Sequence, residues 1–356
     1  MKKIQIISFT AAGFALSERM KDALKNEYET GLNTTKEDVY ENAVGRGTSV
    51  RLVSEGLKNW CQAVFYEADA LIFIGASGIA VRTIAPFVVS KTKDPAVLVA
   101  DECGRHVISL LSGHLGGGNE LTEFLAKRIN AEPVITTASD VNGKLAVDVW
   151  AKKNHLVISD MKKAKLAAAE IVSGKQLALY CEGEVRGTLP PELRLTKQLE
   201  DSDIAVSIHD NCPERALQLM PKAVILGIGC KKEKPYDEIE DSVFRILEEY
   251  GISSASIAKM ASIDLKAEEP GLLQLAEKLQ VPFAVFSAET LMEVPGEYEA
   301  SGFVQKITGV DNVCERAAMA ACDREEQETA QFICRKTAAN GVTVALLSRE
   351  WSVSFE

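Results

Sequence analysis

Short apolar runs rich in β-branched residues alternate with helix-patterned segments along most of this chain. An apolar run at 4–9 precedes a helical pattern at 14–26, and another at 70–74 begins a further unit of this kind. The alternation continues with an apolar run at 96–100 and a helical pattern at 119–129. Such alternation is typical of parallel sheets covered by helices. We therefore predict an α/β fold with parallel or mostly parallel sheets flanked by helices.

The length predicts more than one domain. The chain has 356 residues, whereas an ordinary domain has roughly 100 to 200. We expect an N-terminal α/β domain over 1–150, a small α/β middle domain over 151–221, and a C-terminal α/β domain over 222–356. The polar segment 28–48 is interpreted as a loop or irregular connection.

Charge and hydropathy exclude several classes of partner. The formal net charge of -11 disfavours nucleic acid and anionic membranes, because both repel a negative surface. No stretch approaches the roughly 20 apolar residues that a membrane helix needs. The opening segment resembles a secretory signal, but Gln5, Ser8 and Thr10 interrupt it, so a first strand is favoured. We expect a cytoplasmic protein with no membrane or nucleic-acid partner.

The eight cysteines do not form a metal-binding or redox motif. No two of them are separated by two residues, as a zinc ribbon or a thioredoxin-like motif requires. We expect reduced thiols, mostly in the core, and no metal site in the protein.

The densest concentration of glycine, hydroxyl, histidine and acidic residues lies between residues 75 and 140. Four segments, 75–78, 101–106, 112–120 and 136–140, each follow or lie beside a predicted strand. Because parallel strands end at the same edge of a sheet, we expect these segments to lie together in one ligand crevice. The glycines at 116–118, just before a helix, would let backbone amides approach a carboxylate or phosphate. A sterically demanding turn with no ligand explains them equally well.

Three side chains in this region are candidates for acid–base chemistry. His114 lies on a glycine-flanked loop and titrates near neutral pH, whereas Asp101 and Glu102 end an apolar strand. The alternatives are hydrogen bonding within the loop for His114 and a solvated strand end for the carboxylates. His106 is a weaker candidate.

A second glycine-rich motif follows a predicted strand in the C-terminal domain. Gly227 and Gly229 resemble half of a dinucleotide-binding fingerprint, but the third glycine is absent and Lys231 and Lys232 follow. Small residues beside two lysines suit an anionic ligand better than a nucleotide. A solvated pair of charges at the start of a helix is the alternative.

These motifs, in their order along the chain, resemble those of the CbiG family. The resemblance covers most of the chain and is loose over 152–220. Glu233 departs from the family pattern, in which glycine is commoner. The matching segments are 69–82, 91–97, 101–102, 108–117, 119–122, 134–140, 227–232, 261–266 and 309–318.

The resemblance implies a cobalt-precorrin 5A hydrolase of the anaerobic route to cobalamin. Such an enzyme opens the ring A δ-lactone and releases a two-carbon unit as acetaldehyde, which gives cobalt-precorrin 5B. It requires no cofactor, because the cobalt is part of the cobalt-corrinoid substrate. Homo-oligomerisation and transient contacts with neighbouring cobalamin-pathway enzymes are left open. A noncatalytic tetrapyrrole carrier and an α/β nucleotide or sugar-phosphate enzyme are the alternative functions.

The chemistry of that reaction suggests roles for the candidate residues, whereas the resemblance itself identifies only the motifs. The catalytic candidates are His114, Asp101 and Glu102. Arg82, Lys231 and Lys232 are candidates for binding the acetate and propionate arms of the substrate. The remaining substrate-binding candidates are small or polar residues of the signature loops: Ser77, Gly78, Ser112, Gly113, Gly116, Gly117, Gly118, Asn119, Thr136, Thr137 and Gly229.

Overall fold

The computed structural model describes residues 2–90, 93–114 and 116–356, without the side chains of Ser139, Asp140 and Phe303. Lys91 and Leu115, which belong to the family motifs, lie outside the described residues. The chain forms two compact units, Met1–Val149 and Trp150–Glu356. The division into three domains stays a prediction. Within the described ranges, no helix is both long enough and apolar enough to span a bilayer.

The first unit alternates strands and helices almost throughout. Its elements in chain order are β1 (Lys2–Ser8), α1 (Ala11–Leu24), β2 (Tyr28–Thr34), α2 (Glu37–Gly45), β3 (Arg51–Leu52), α3 (Leu57–Val64), β4 (Ala70–Ile74), α4 (Ser77–Ile84), β5 (Ala96–Ala100), β6 (His106–Leu111), α5 (Gly118–Ile129), β7 (Glu132–Val134) and α6 (Ala138–Val141). Helix α7 (Val147–Lys153) begins in this unit and ends in the second.

One seven-stranded sheet in the order β3-β2-β1-β4-β5-β6-β7 organises this unit. The first five strands in that order are parallel to one another. β6 is antiparallel to β5, and β7 is parallel to β6. The last two strands therefore point opposite to the other five. The predicted α/β fold with a mostly parallel sheet is confirmed.

Alternate residues of the central strands form two separate cores, one on each face of the sheet. On β1, Ile6 packs in the core that contains residues of α1 and α5, whereas Ile7 packs in the core that contains residues of α3 and α4. Both isoleucines are fully buried. Because successive side chains of a strand point to opposite faces, a strand covered on both faces is a continuous apolar run.

The prediction of an irregular connection over 28–48 is wrong, because this segment contains β2 and α2. A hydrogen-bonded polar side chain, Asn33, occupies an interior position of β2 and hides the apolar pattern of a strand. Its amide donates to the carbonyl of Ile6 at 3.0 Å and accepts from the indole of Trp60 at 3.1 Å. A satisfied polar group can be buried at little cost.

The second unit carries the remaining elements. These are β8 (Leu156–Ile158), α8 (Met161–Val172), β9 (Leu177–Cys181), β10 (Glu184–Arg186), β11 (Leu193–Leu195), β12 (Ile204–Val206), β13 (Leu217–Pro221), β14 (Val224–Cys230), α9 (Tyr236–Glu249), β15 (Ile257–Ile263), α10 (Pro270–Leu279), β16 (Phe283–Phe286), α11 (Ala288–Glu293), α12 (Gly302–Thr308), α13 (Val313–Ala320), α14 (Arg324–Gln327), β17 (Gln331–Ala339), β18 (Val342–Ser348) and β19 (Ser352–Ser354).

Two five-stranded sheets form in this unit, in the orders β11-β9-β12-β13-β8 and β16-β15-β14-β18-β17. In the first, only β8 runs against its neighbour. In the second, β14, β15 and β16 are parallel, whereas β18 and β17 form an antiparallel pair beside β14. A short two-stranded sheet joins β10 to β19.

Helix α13 packs directly against the backbone of β14 at Gly227. A Cβ atom built on Gly227 would lie 1.9 Å from the carbonyl oxygen of Cys314 and 2.8 Å from the Cβ of Ala318. Only glycine permits so close an approach of helix and strand. Helix packing therefore explains this glycine without a nucleotide.

Candidate active site

The antiparallel pairing of β5 and β6 divides the predicted site between two edges of the sheet. Ala100 pairs with Val107 and Val97 pairs with Leu111, so β6 ends where β5 begins. Segments 75–78 and 101–102 lie at the edge where β4 and β5 end, here called the β5 edge. Segments 112–119 and 136–137 follow β6 and β7 at the opposite edge, here called the β6 edge. The prediction that all of them share one crevice is wrong, because a five-residue strand of roughly 17 Å separates the edges.

At the β5 edge, the carboxylate of Asp101 builds the turn between β5 and β6. It accepts hydrogen bonds from the backbone N–H groups of Cys103, Arg105 and His106 at 3.0, 3.0 and 2.7 Å. The Nδ1 atom of the His106 ring lies 3.3 Å from the same carboxylate.

These contacts make Asp101 a weak proton acceptor. Burial raises the pKa of its carboxyl, but hydrogen bonds from the backbone of His106, Arg105 and Cys103 outweigh burial, so the pKa lies below its ordinary value. The geometry fits a carboxylate that shapes a turn better than a general base.

Glu102, the other acidic candidate, is exposed and accepts a hydrogen bond from Thr10 Oγ1 at 2.8 Å. Thr10 also caps α1, since its Oγ1 accepts from the N–H of Gly13 at 3.0 Å. Glu102 is thus tied to the start of α1 and not to His114, which lies at the other edge.

Ser77, Gly78 and Arg82 come together on α4 at the β5 edge. Arg82 bends back along the helix, so that its guanidinium lies 3.4 Å from the position that a Cβ on Gly78 would take. No side chain caps the N-terminus of α4. No described residue forms an ion pair with Arg82. The guanidinium and the start of the helix thus create a small exposed patch of positive potential.

At the β6 edge, the glycine-rich loop packs tightly on itself. A Cβ on Gly113 would lie 2.4 Å from Asn119 Oδ1, and one on Gly116 would lie 2.6 Å from the carbonyl oxygen of Ser112. Gly117 has a φ of +79°, which favours glycine. The steric interpretation of these glycines is therefore supported.

Five of the described backbone amides in this loop fall into two groups. The amides of Gly117, Gly118 and Asn119 donate to carbonyl oxygens within the loop at 2.9, 3.1 and 2.9 Å. The amides of Gly113 and Gly116 donate to no described acceptor. Only the second group can receive an anionic oxygen without breaking a hydrogen bond.

Ser112, at the start of the loop, has an unusual conformation for a buried serine. Its φ is +54° and its exposure is 9%. Its hydroxyl has no hydrogen-bond partner among the described residues. A left-handed non-glycine residue costs on the order of 1 to 3 kcal/mol, and such strain clusters at functional sites.

Asn119 connects the loop to the segment after β7. Its amide donates to Thr137 Oγ1 at 3.1 Å. Thr137 is half-buried, whereas Thr136 is exposed. The structure therefore brings Ser112, Asn119 and Thr137 into one cluster at the β6 edge.

His114 pairs with Asp148, a residue that the sequence analysis missed. Nδ1 of His114 lies 3.4 Å from Oδ1 of Asp148, and the two side chains are only 17% and 10% exposed. Asp148 lies on α7 between Val147 and Val149, and a single carboxylate inside an apolar run was the signal available. A carboxylate at Nδ1 orients an imidazole and stabilises its protonated form.

The C-terminal candidates lie in the second unit, at the end of β14. Gly229 packs against Thr343, whose Oγ1 would lie 2.8 Å from a Cβ at that position. Lys231 and Lys232 are both exposed, and Nζ of Lys232 lies 3.8 Å from the carboxylate of Glu233. Glu233 has a φ of +57°, which explains why glycine suits this position. The lysines have the environment of a solvated charge pair.

Three protein-family models match consecutive parts of the chain. Models described as Cobalamin synthesis G N-terminal, Cobalamin biosynthesis central region and Cobalamin synthesis G C-terminus match residues 59–140, 145–221 and 224–347. A cobalt-precorrin-5A hydrolase from Salmonella typhimurium is 41% identical over 277 residues, which cover 74% of this chain and 79% of the relative. The chain belongs to the CbiG family. The predicted resemblance is thereby confirmed.

Further similarities extend across the length of this CbiG-family chain. A cobalt-precorrin-5A hydrolase from Priestia megaterium is 30% identical over 327 residues, which cover 86% of each chain. The crystal structure of a cobalamin biosynthesis protein G homologue from Sulfolobus solfataricus is 22% identical, with a TM-score of 0.40, and the match covers 98% of this chain and 97% of that one.

The His114–Asp148 pair connects residues that fall in different models of the CbiG family. His114 lies in the N-terminal match and Asp148 in the central-region match. Among the described residues, no three histidine, cysteine or acidic side chains are grouped closely enough to hold a metal ion. The β6-edge loop thus carries a histidine oriented by a carboxylate and two backbone amides, those of Gly113 and Gly116, that donate to no described acceptor.

Proposed function

We propose that this chain is a cobalt-precorrin-5A hydrolase. The observation that carries the proposal is the 41% identity to the Salmonella typhimurium enzyme of that name, over most of both chains. The relative from Priestia megaterium has the same name. The reaction opens the ring A δ-lactone and releases acetaldehyde, giving cobalt-precorrin 5B on the anaerobic route to cobalamin.

The first step is hydrolysis of the lactone, for which His114 is the proposed general base. Nε2 of His114 takes a proton from water while the oxygen of that water bonds to the lactone carbonyl carbon. The carbonyl oxygen becomes an oxyanion, which the free amides of Gly113 and Gly116 stabilise. The oxyanion then reforms the carbonyl as the ring C–O bond breaks, and His114 returns the proton to the departing alkoxide. The products of this step are a carboxyl group and a hydroxyl group.

The second step is cleavage of the carbon–carbon bond that holds the two-carbon unit. A base removes the hydroxyl proton, the C–O bond becomes the carbonyl of acetaldehyde, and the electron pair of the broken bond passes into the macrocycle. His114 can serve again, because Asp148 at 3.4 Å stabilises the imidazolium that forms. The cobalt is part of the substrate, and we propose that the protein needs no cofactor of its own.

The carboxylate arms of the substrate need cationic partners, because the chain as a whole is negative. We propose Arg82, together with Ser77 and Gly78, as one such partner and Lys231 and Lys232 as another. All three cationic side chains are exposed, so each contributes under about 1 kcal/mol to binding, and added salt weakens the contribution. Normal binding by Arg82→Ala, Lys231→Ala and Lys232→Ala at low salt would assign the arms to other residues.

The decisive experiment is incubation of the purified chain with cobalt-precorrin 5A and measurement of acetaldehyde. A hydrolase releases one acetaldehyde per substrate, whereas a carrier binds the corrinoid and releases none. Enzyme treated with a chelator and then dialysed keeps its activity if no metal beyond the substrate's cobalt takes part. Catalysis that requires a nucleotide would contradict the proposal.

A further inference from the structure

The first backbone amides of helix α5 hold the glycine-rich loop that precedes the helix. The N–H of Gly118 donates to the carbonyl oxygen of Ser112 at 3.1 Å, and the N–H of Asn119 donates to that of Gly113 at 2.9 Å. Both carbonyl groups therefore point at the start of α5. Two consecutive peptide groups of the loop are thus held in fixed orientations.

These hydrogen bonds also determine where the N–H of Gly113 points. The C=O and the N–H of a trans peptide group point in opposite directions, and no described peptide bond is cis. Since the carbonyl of Ser112 points at α5, the N–H of the same peptide group, which belongs to Gly113, points away from the helix. This geometry explains why the amide of Gly113 donates to no described acceptor.

The side chain of Asn119 supports the same part of the loop. Asn119 is only 7% exposed. Its amide group lies against the Cα of Gly113, where an added Cβ would be 2.4 Å from Oδ1 and 3.1 Å from Nδ2. The Nδ2 atom donates to Thr137 Oγ1 at 3.1 Å, and among the described residues this hydroxyl has no other hydrogen-bond partner. Thr137 therefore holds the side chain that lies against Gly113.

We propose that Asn119 and Thr137 are positioning residues, which hold Gly113 so that its N–H meets the oxyanion formed during lactone hydrolysis. Both act through the backbone of Gly113 and not through contact with the substrate. A donor that is fixed before the reaction needs no reorganisation when the charge develops. The catalytic consequence rests on the proposed hydrolase function, whereas the support of the loop is measured on the protein without substrate.

The test removes the hydroxyl of Thr137 with little change in the size of the side chain. In Thr137→Val, Nδ2 of Asn119 loses this acceptor, and the side chain is no longer held against Gly113. Hydrogen exchange followed by NMR, without substrate, should show the backbone amide of Asn119 exchanging about 3-fold to 10-fold faster. Thr137→Ser, which keeps the hydroxyl, should recover most of the protection.

Kinetics with cobalt-precorrin 5A test the catalytic consequence. Thr137→Val should lower kcat about 3-fold to 10-fold and leave KM within about 2-fold, because a misplaced oxyanion donor affects the transition state more than binding. Thr137→Ser should recover most of this loss. When Asn119→Ala is already present, Thr137→Val should lower kcat further by under about 2-fold, since the hydroxyl then has no Nδ2 to receive.

Thr48→Val is the matched control for a general loss of stability. Thr48 is a half-buried threonine of the same unit, and its Oγ1 donates to Glu18 at 3.0 Å. The substitution therefore removes a similar hydrogen bond, but one that joins the segment after α2 to helix α1. It should leave kcat and the exchange of the Asn119 amide within about 2-fold of wild type.

An unchanged exchange rate of the Asn119 amide in Thr137→Val would overturn the proposal, as would equal losses of kcat in Thr48→Val and Thr137→Val. If Thr137→Val does not fold, Thr137→Ala removes the same hydroxyl and gives the same measurement. Faster exchange in a chain that releases no acetaldehyde would confirm the support of the loop and reject the hydrolase function.

Discussion

Two histidine–aspartate pairs lie at opposite edges of the same sheet and have nearly the same separation. His106 and Asp101 are 3.3 Å apart in a tight turn, with side chains 49% and 38% exposed. His114 and Asp148 are 3.4 Å apart, with side chains 17% and 10% exposed. The distances do not distinguish the two pairs. Burial and the backbone hydrogen bonds that Asp101 accepts do distinguish them. A short distance alone does not identify a catalytic pair.

The carboxylate of the exposed pair has a clear structural task. Asp101 accepts three backbone hydrogen bonds that close the turn, whereas Asp148 lies on a helix and meets a histidine from a separate loop. Water also screens the exposed pair more strongly than the buried one. We therefore expect the two pairs to respond differently to the same substitutions.

The largest expected difference concerns the histidines. His114→Ala should lower the rate of acetaldehyde release roughly 100-fold to 10,000-fold with a smaller effect on corrinoid binding, because proton relay contributes that much to rate. His106→Ala, the matched variant at the β5 edge, should stay within about 3-fold of wild type. Single-turnover assays and equilibrium binding measure both quantities. Near-normal turnover of a folded His114→Ala protein would give this histidine a structural role.

Substitution of the two aspartates should also affect kcat unequally, but by less than substitution of the histidines. Asp148→Asn should lower kcat about 10-fold to 100-fold, because the amide cannot stabilise the imidazolium as a carboxylate does. Asp101→Asn should leave kcat within about 3-fold and lower thermal stability instead, since the turn loses charged acceptors. Equal losses of kcat in the two variants would remove the distinction between the pairs.

A glycine from each edge of the sheet, Gly116 at the β6 edge and Gly78 at the β5 edge, should differ in its tolerance of alanine. Gly116→Ala should lower the free energy of unfolding by about 1 to 3 kcal/mol, because the new methyl group meets the carbonyl oxygen of Ser112. Gly78→Ala meets only the mobile guanidinium of Arg82 and should change stability by under about 1 kcal/mol. Chemical denaturation of both variants measures the difference, and equal stabilities would show that the loop can relax.

The smallest expected effect is the pH dependence of stability that comes from Asp101 in the exposed pair. The pKa of Asp101 is lowered in the folded protein, so its ionised form stabilises the fold above the unfolded-state pKa of about 3.9. This stability is lost as the pH falls through the lower folded-state value. The difference in unfolding free energy between wild type and Asp101→Asn should therefore shrink from pH 6 to pH 3. A difference that grows on acidification would contradict the assigned direction.

The spacing of apolar residues along the sequence predicted many of the helices and strands. The helical pattern at 119–129 corresponds to α5 (Gly118–Ile129), and the apolar run at 96–100 corresponds to β5 (Ala96–Ala100). The period of apolar residues reports secondary structure and burial, and both follow from nearby sequence. The polar strand β2 was missed, because its buried Asn33 is satisfied by partners far along the chain.

The site could be predicted only in pieces. The sequence identified the motif residues around Ser112 and His114. It did not predict the direction of β6, because an apolar run has the same pattern in a parallel and in an antiparallel strand. The turn between β5 and β6 is short, and a helical crossover would have been needed to keep β6 parallel. Asp148 was missed for a related reason, since only the fold brings α7 to the loop of His114.

The contact at Gly227 limits how sequences of this protein can vary. In a saturation library, position 227 should accept glycine alone, and no second change elsewhere should restore alanine. A clash with a side chain can be relieved by trimming that side chain, but the obstacle here is the carbonyl oxygen of Cys314, which every amino acid at position 314 carries. Residue 314 should therefore vary without ever releasing the constraint on residue 227.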